Sequence, residues 1–109
     1  MGVDVVLQRV ERRGTSPRRR RLTQVEVVPD GSGLFARICG SVGTPLLNRV
    51  DPYGDLVLTT AEMPQFLSEI DAARAVARTD TERRLLADIR ALAERCAQDT
   101  STELHLQGD

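Results

Sequence analysis

The amino-acid sequence predicts an α+β fold: a mainly antiparallel sheet of four to five strands with an antiparallel helix pair on one face. Three observations carry this. Val-rich segments with a period of two occupy the first third of the chain, and one more such segment returns at residues 102–107. Between them the apolar period changes to 3.6, with Met63, Phe66, Leu67, Ile70, Ala73 and Ala77 on one stripe and Leu85, Ile89, Leu92 and Cys96 on a second. The connection around Arg78 is short enough to force the two helices back on each other. Strands first, helices next and a strand returning give the order β-β-(β)-β-α-α-β.

Residues 3–11 read as a strand with Val3, Val5 and Leu7 on one face. Residues 12–21 contain Gly, Ser, Pro and six arginines, and read as a long hairpin loop. Residues 22–28 alternate again, with Val25 and Val27 opposite Gln24, Glu26 and Val28. The run Pro29, Asp30, Gly31, Ser32, Gly33 is a turn. Residues 34–39 are expected to form a third strand with Leu34, Ala36 and Ile38 inward, which leaves Cys39 outward. Thr44 followed by Pro45 marks one short helical turn over residues 45–49. Residues 51–55 form a turn shaped by Pro52 and Gly54, and residues 56–58 a short buried strand.

Thr59 or Thr60 caps the first long helix, and Pro64 is tolerated in its first turn, where amides lack intrahelical partners. Ser68 and Glu69 fall off its apolar stripe. Thr79 and Glu82 form a capping box that starts the second helix. In the last strand Leu104 and Leu106 are expected inward, with Glu103, His105 and Gln107 facing solvent.

A chain of 109 residues fits one domain, residues 1–109. With aromatics at 3%, the core has to be built from Val, Leu, Ile and Ala. All 15 basic residues are Arg, which excludes Schiff-base and other lysine chemistry. No secretory signal and no apolar run of about 20 residues is present, so a cytoplasmic protein without membrane contact is expected. In that compartment Cys39 and Cys96 are free thiols. Their spacing matches no zinc or redox motif, and neither a metal nor a cofactor is expected.

Two clusters stand out as binding candidates. The first is Arg12, Arg13, Arg18, Arg19, Arg20 and Arg21; the whole chain is at −1, so the other 99 residues carry −7. A cationic finger on an anionic body suits an acidic partner or a phosphate backbone. No aromatic residue interleaves the run, which removes base stacking. The second cluster is Arg49, Asp51, Tyr53 and Asp55, where an exposed Tyr and Arg on a tight turn suit a protein contact. Two carboxylates and a phenol on a turn are too few ligands for a calcium loop. His105 is the only histidine and has no partners at zinc-site spacing.

Residues 46–57 (LLNRVDPYGDLV), running into EMPQ at 62–65, with MGVD at 1–4 and LHLQGD at 104–109, resemble the pattern of a family of short uncharacterised bacterial proteins. The resemblance implies no activity. The sequence therefore points to a small non-enzymatic protein-interaction module, a regulatory or immunity-like partner, using the Arg-rich loop and the Asp/Tyr turn. Its partner would be another protein or a second copy paired through an edge strand. A nucleic-acid-binding accessory protein using the Arg-rich loop is the second reading, and an enzyme the disfavoured third.

Overall fold

A computed structural model describes the backbone of residues 2–12 and 20–108 and the side chains of residues 2–11 and 21–108. Four antiparallel strands form one sheet: β1 (Asp4–Arg12), β2 (Arg20–Val28), β3 (Asp55–Leu58) and β4 (Thr102–Gln107), in the order β2-β1-β4-β3. The helices are α1 (Leu34–Ser41), α2 (Met63–Ala75) and α3 (Asp80–Gln98), with 3-10 turns at Leu47–Arg49 and Thr60–Glu62. This is an α+β fold with the chain order β-β-α-β-α-α-β.

Alternation along the strands divides the sheet into two faces. Val3, Val5, Leu7, Leu58, Leu104 and Leu106 enter one core with Phe35, Met63, Phe66, Ile70, Leu86, Ile89 and Leu92 of the helices. Val6 is 2% exposed but is not part of that core, because it lies on the opposite face. A bulge opposite Leu7 and Gln8 shifts the register of β2. It turns Val25 and Val28 toward the core and leaves Val27 outside, whereas simple alternation grouped Val25 with Val27.

The third strand expected at residues 34–39 is instead helix α1. Phe35, Ile38 and Cys39 recur at i, i+3 and i+4 and are all buried. The helix start is fixed by Asp30, whose buried carboxylate accepts amide hydrogen bonds from Phe35 and Ala36, both at 3.0 Å, and from Val3 at 2.9 Å. Gly33 adopts φ 75°, a left-handed conformation that admits the tight entry. The Asp30 amide in turn donates to Asp4 at 2.8 Å. One carboxylate thus joins the start of β1, the loop after β2 and the first turn of α1.

Glu69 plays the same part for the 3-10 turn. It lies on α2 and is buried, contrary to its place off the apolar stripe. Its carboxylate accepts the amides of Leu46 at 3.0 Å and Leu47 at 2.9 Å, and the Gln65 side-chain amide at 2.8 Å. The Thr44 hydroxyl lies near the same carboxylate without a well-formed hydrogen bond. Burial pushes the Glu69 carboxyl upward, but the donors from Gln65, Leu47 and Leu46 outweigh it and hold its pKa below the usual 4.5.

The Thr59–Glu62 capping box starts the 3-10 turn rather than α2, with Glu62 accepting the Thr59 amide at 3.1 Å, and α2 itself follows with no side-chain cap. At α3 the Thr79 hydroxyl accepts the Glu82 amide at 3.1 Å. Arg90 of α3 bridges to Asp71 of α2 at 2.7 Å and to Glu94 on its own helix, and Arg95 reaches Glu26 of β2. These pairs are largely exposed and contribute little each.

Two outcomes test these anchors. Replacing Asp30 by Ala strands three amides and is expected to cost about 2–4 kcal/mol in a denaturant titration, far more than a surface change. Glu69 has a depressed folded pKa, so its contribution is present above its unfolded pKa and is lost as pH falls through the folded value. Between pH 7 and pH 3 the stability difference between the natural chain and Glu69→Gln should therefore hold above about pH 4.5 and shrink below it.

Candidate functional site

The structure places the Asp51–Asp55 turn at one end of the sheet and Arg21, with the backbone of Arg12 and Arg20, at the other. Strand β1 runs from Asp4, paired with Gln107 of β4, to Arg12, paired with Arg20 of β2. Eight residue steps of extended chain separate these ends by about 26 Å. The Asp51–Asp55 turn lies at the Asp4 end, since the Gly108 amide that follows β4 donates to the Gly54 carbonyl at 2.7 Å. Arg21 is described and exposed at the other end. Arg13, Arg18 and Arg19 lie outside the described residues, as do the side chains of Arg12 and Arg20.

The turn is built from its own backbone. The Asp51 carboxylate accepts the Tyr53 amide at 2.8 Å, and the Asp51 carbonyl accepts the Gly54 amide at 3.2 Å. A side chain at Gly108 would meet the Asp51 carbonyl oxygen at 2.5 Å and the Pro52 carbonyl at 2.6 Å, so the turn is held against a glycine that nothing larger can replace. The result is a fixed platform with Tyr53 standing out at 68% exposure. Arg49 does not join the turn's carboxylates; it faces Glu62 at 3.7 Å. Asp55 begins β3 and is exposed opposite Gln107. Among the described residues no group of three or more His, Cys, Asp or Glu is placed to hold a metal ion.

Between the two ends lies a surface that the sequence reading did not single out: the sheet face turned away from the helices. Strand register assigns its rows. Val27, Val6, His105 and Val57 form one row across all four strands. Asp4, Gln107 and Asp55 flank it on one side, Gln24, Gln8 and Glu103 on the other, and Leu22 opposite Val10 forms a further apolar row beyond. Leu22, Val27 and Val57 are 43%, 38% and 43% exposed, so three of the five exposed large hydrophobics among the described residues fall on this face. The signal was present in the sequence as Val6 and Val10, which blurred the alternation of the first strand.

His105 needs correction. It does point away from the core, but it is 8% exposed rather than solvent-facing. It sits on a central strand between Val6 and Val57, and its Nε2 is 3.1 Å from Glu103 Oε1. Cys39, expected outward, is buried on α1. Burial, then the nearby Asp30 charge, pushes its thiol up to about 12. Burial likewise raises the Cys96 thiol. Both cysteines are free, and a protonated buried thiol is a poor nucleophile.

Among the described residues, a groove of about 730 Å³ lies where α1 meets the α2–α3 connection and is lined by Leu34, Ile38, Val42, Val76 and Leu86 with Arg37 and Arg78. It gathers neither the histidine nor the cluster of Asp51 and Asp55. No protein-family model, no curated protein and no solved structure matches this chain. Among the described residues no helix is long and apolar enough to cross a membrane.

A thiol titration checks the cysteine environment. With an aromatic disulfide reagent at pH 8, neither Cys39 nor Cys96 should react on the timescale of a model thiol, and both should react at once in denaturant. Rapid labelling of the folded chain would contradict the burial described here.

Proposed function

We propose that this chain is a non-enzymatic protein-interaction module, of the regulatory or immunity-like kind. The observation that carries the reading is Tyr53, an aromatic anchor two-thirds exposed on a turn whose backbone is pinned by Gly108. Tyr held on a rigid support supplies large contact area at low entropic cost, which is the property of hot-spot residues. Asp51 and Asp55 flank it, and the exposed Arg21 supplies opposite charge near the far end of the β1–β2 pairing. Charge complementarity at both ends would steer and orient a partner.

The chemistry of the reactive groups also favours binding over turnover. The two thiols are buried and protonated, and the imidazole is occluded and bonded to Glu103. A second reading, nucleic-acid binding, rests on the six arginines of residues 12–21. The deficit of seven charges in the rest of the chain opposes it, because an acidic body repels a phosphate backbone.

Affinity capture on the immobilised full chain, with and without nuclease, separates these readings. The interaction reading predicts a defined protein species that survives nuclease and is lost with Tyr53→Ala. Tyr53→Ala itself should change stability by no more than about 0.5 kcal/mol, since the ring is exposed. Capture that disappears with nuclease, or with Arg18→Ser and Arg19→Ser but not with Tyr53→Ala, would favour nucleic acid instead.

A further inference from the structure

We propose that the groove between α1 and the α2–α3 connection is a binding site for an aliphatic monocarboxylate, with the acyl chain along its apolar walls and the carboxylate held by Arg37 and Arg78. The groove is separate from the Tyr53 turn, so the inference goes beyond the interaction reading and does not rest on it.

The first ground is the lining. Leu34, Ile38 and Val42 follow one another at helical spacing along α1 and its C-terminal end, and Val76 and Leu86 line the groove from the α2–α3 side. Ala72, Ala73 and Ala77 also line it, and such short side chains leave the space between the walls open. Its volume of about 730 Å³ lies in the range of about 300–1,000 Å³ usual for small-molecule sites. Val76 is 69% exposed, the highest value among the exposed large hydrophobics of the described residues. An acyl chain in the groove would take that apolar surface out of water. No aromatic side chain lines the groove among the described residues, so it suits a flexible aliphatic chain rather than a ring that needs stacking.

The second ground is charge. Among the described residues the ionisable side chains of the lining are Arg37, Arg78 and Glu82. Glu82 is already committed, since its carboxylate accepts the Arg78 backbone amide at 3.0 Å. The guanidinium groups of Arg37 and Arg78 are both exposed and have no hydrogen bond or ion pair among the described residues. Arg9, Arg49, Arg83, Arg90 and Arg95, by contrast, each face an acidic side chain. Two cations and one anion leave the groove with one positive charge in excess. A single carboxylate balances that excess and matches the planar fork of a guanidinium. A phosphate dianion would bring a second negative charge toward Glu82.

The third ground is the backbone of the walls. They are helical, and their main-chain groups bond within the helices. The groove therefore offers no strand edge on which an extended peptide could pair. Recognition falls to apolar contact and two cationic side chains, which is the pattern an amphiphile satisfies.

Amide NMR of the isotope-labelled full chain, titrated with octanoate to about 10 mM, tests this, with octanol as the uncharged chain and acetate as the bare head group. Octanoate should give saturable shifts at Leu34, Val42, Val76 and Leu86, with a dissociation constant on the order of 1 mM, because an open groove covers only part of the chain. Octanol should bind about fivefold more weakly, and acetate should produce no saturable shift. Arg37→Gln combined with Arg78→Gln should remove the preference for octanoate over octanol. Val76→Asp should weaken octanoate by about tenfold, and Val57→Asp on the outer sheet face should leave it unchanged. The three ligands compared on the natural chain decide the matter even where a substitution disturbs folding. Absence of saturable shifts overturns the proposal, as do equal affinities for octanoate and octanol, or shifts centred on Val27 and Val57. Movement of the groove amides on dilution of the chain alone would assign the groove to a second copy. Tighter saturation by a Leu-rich helical peptide than by octanoate would assign it to a protein segment, and either result overturns the proposal. Capture of a protein through Tyr53 is read in a different experiment, so the two readings fail separately.

Discussion

The structure depends on the insertion of β4 between β1 and β3. Both edges of β4 are paired, to β1 from Asp4 to Arg9 and to β3 from Asp55 to Leu58. Without it, the sheet would reduce to one hairpin and a four-residue strand, neither stable alone. The same insertion decides which side chains face where. Leu104 and Leu106 close the core, and His105 enters the centre of the other face. A slip of one residue would exchange these sets and bury Glu103 and His105 against α3. Register in β4 is thus the link between the packing that stabilises the fold and the side chains that make up the outer face.

Two buried carboxylates then convert loops into fixed parts. Asp30 and Glu69 each accept amides from segments distant in sequence. In both cases the charge replaces hydration with directed donors, which is the condition under which burying a carboxylate is favourable. The consequence for function is mechanical. With α1 tied to the start of β1, and the 3-10 turn tied to α2, the region leading into the Tyr53 turn has little freedom to adjust. A partner would meet a preformed surface and lose little entropy in ordering it.

The legible parts of the fold were those in which local pattern and tertiary role agree. The two long helices, the Thr79 cap of α3, the first strand pair and the existence of the last strand follow from period and capping residues, whereas the Thr59 cap expected for α2 falls on the 3-10 turn before it. Residues 34–39 were harder because LFARIC satisfies two periods at once: Leu34, Ala36 and Ile38 alternate, while Phe35, Ile38 and Cys39 make a helical stripe. What decides between them is the Asp30 carboxylate, and its third amide comes from Val3, 27 residues away. Cys39 was misplaced as a direct result. Glu69 was missed because an acid at the edge of the stripe made by Phe66, Ile70 and Ala73 reads as solvated until its amide donors, Leu46 and Leu47, are known.

The candidate site divides in the same way. The Asp51–Asp55 turn was visible because Pro52 and Gly54 mark it, although the need for Gly108 beneath it was not. The apolar outer row was hidden because it is assembled from single residues of four strands. Each of Val6, Val27, Val57 and His105 is unremarkable alone, and only the strand order and the bulge in β2 bring them side by side.

Native-state amide exchange tests the central role of β4 most directly. If β4 holds the sheet together, the amides of Leu104, His105 and Leu106 open only with the whole molecule, and their exchange free energies equal the global stability and exceed those of β2. Exchange of the β4 amides well below the global value, while the β1–β2 hairpin stays protected, would contradict it.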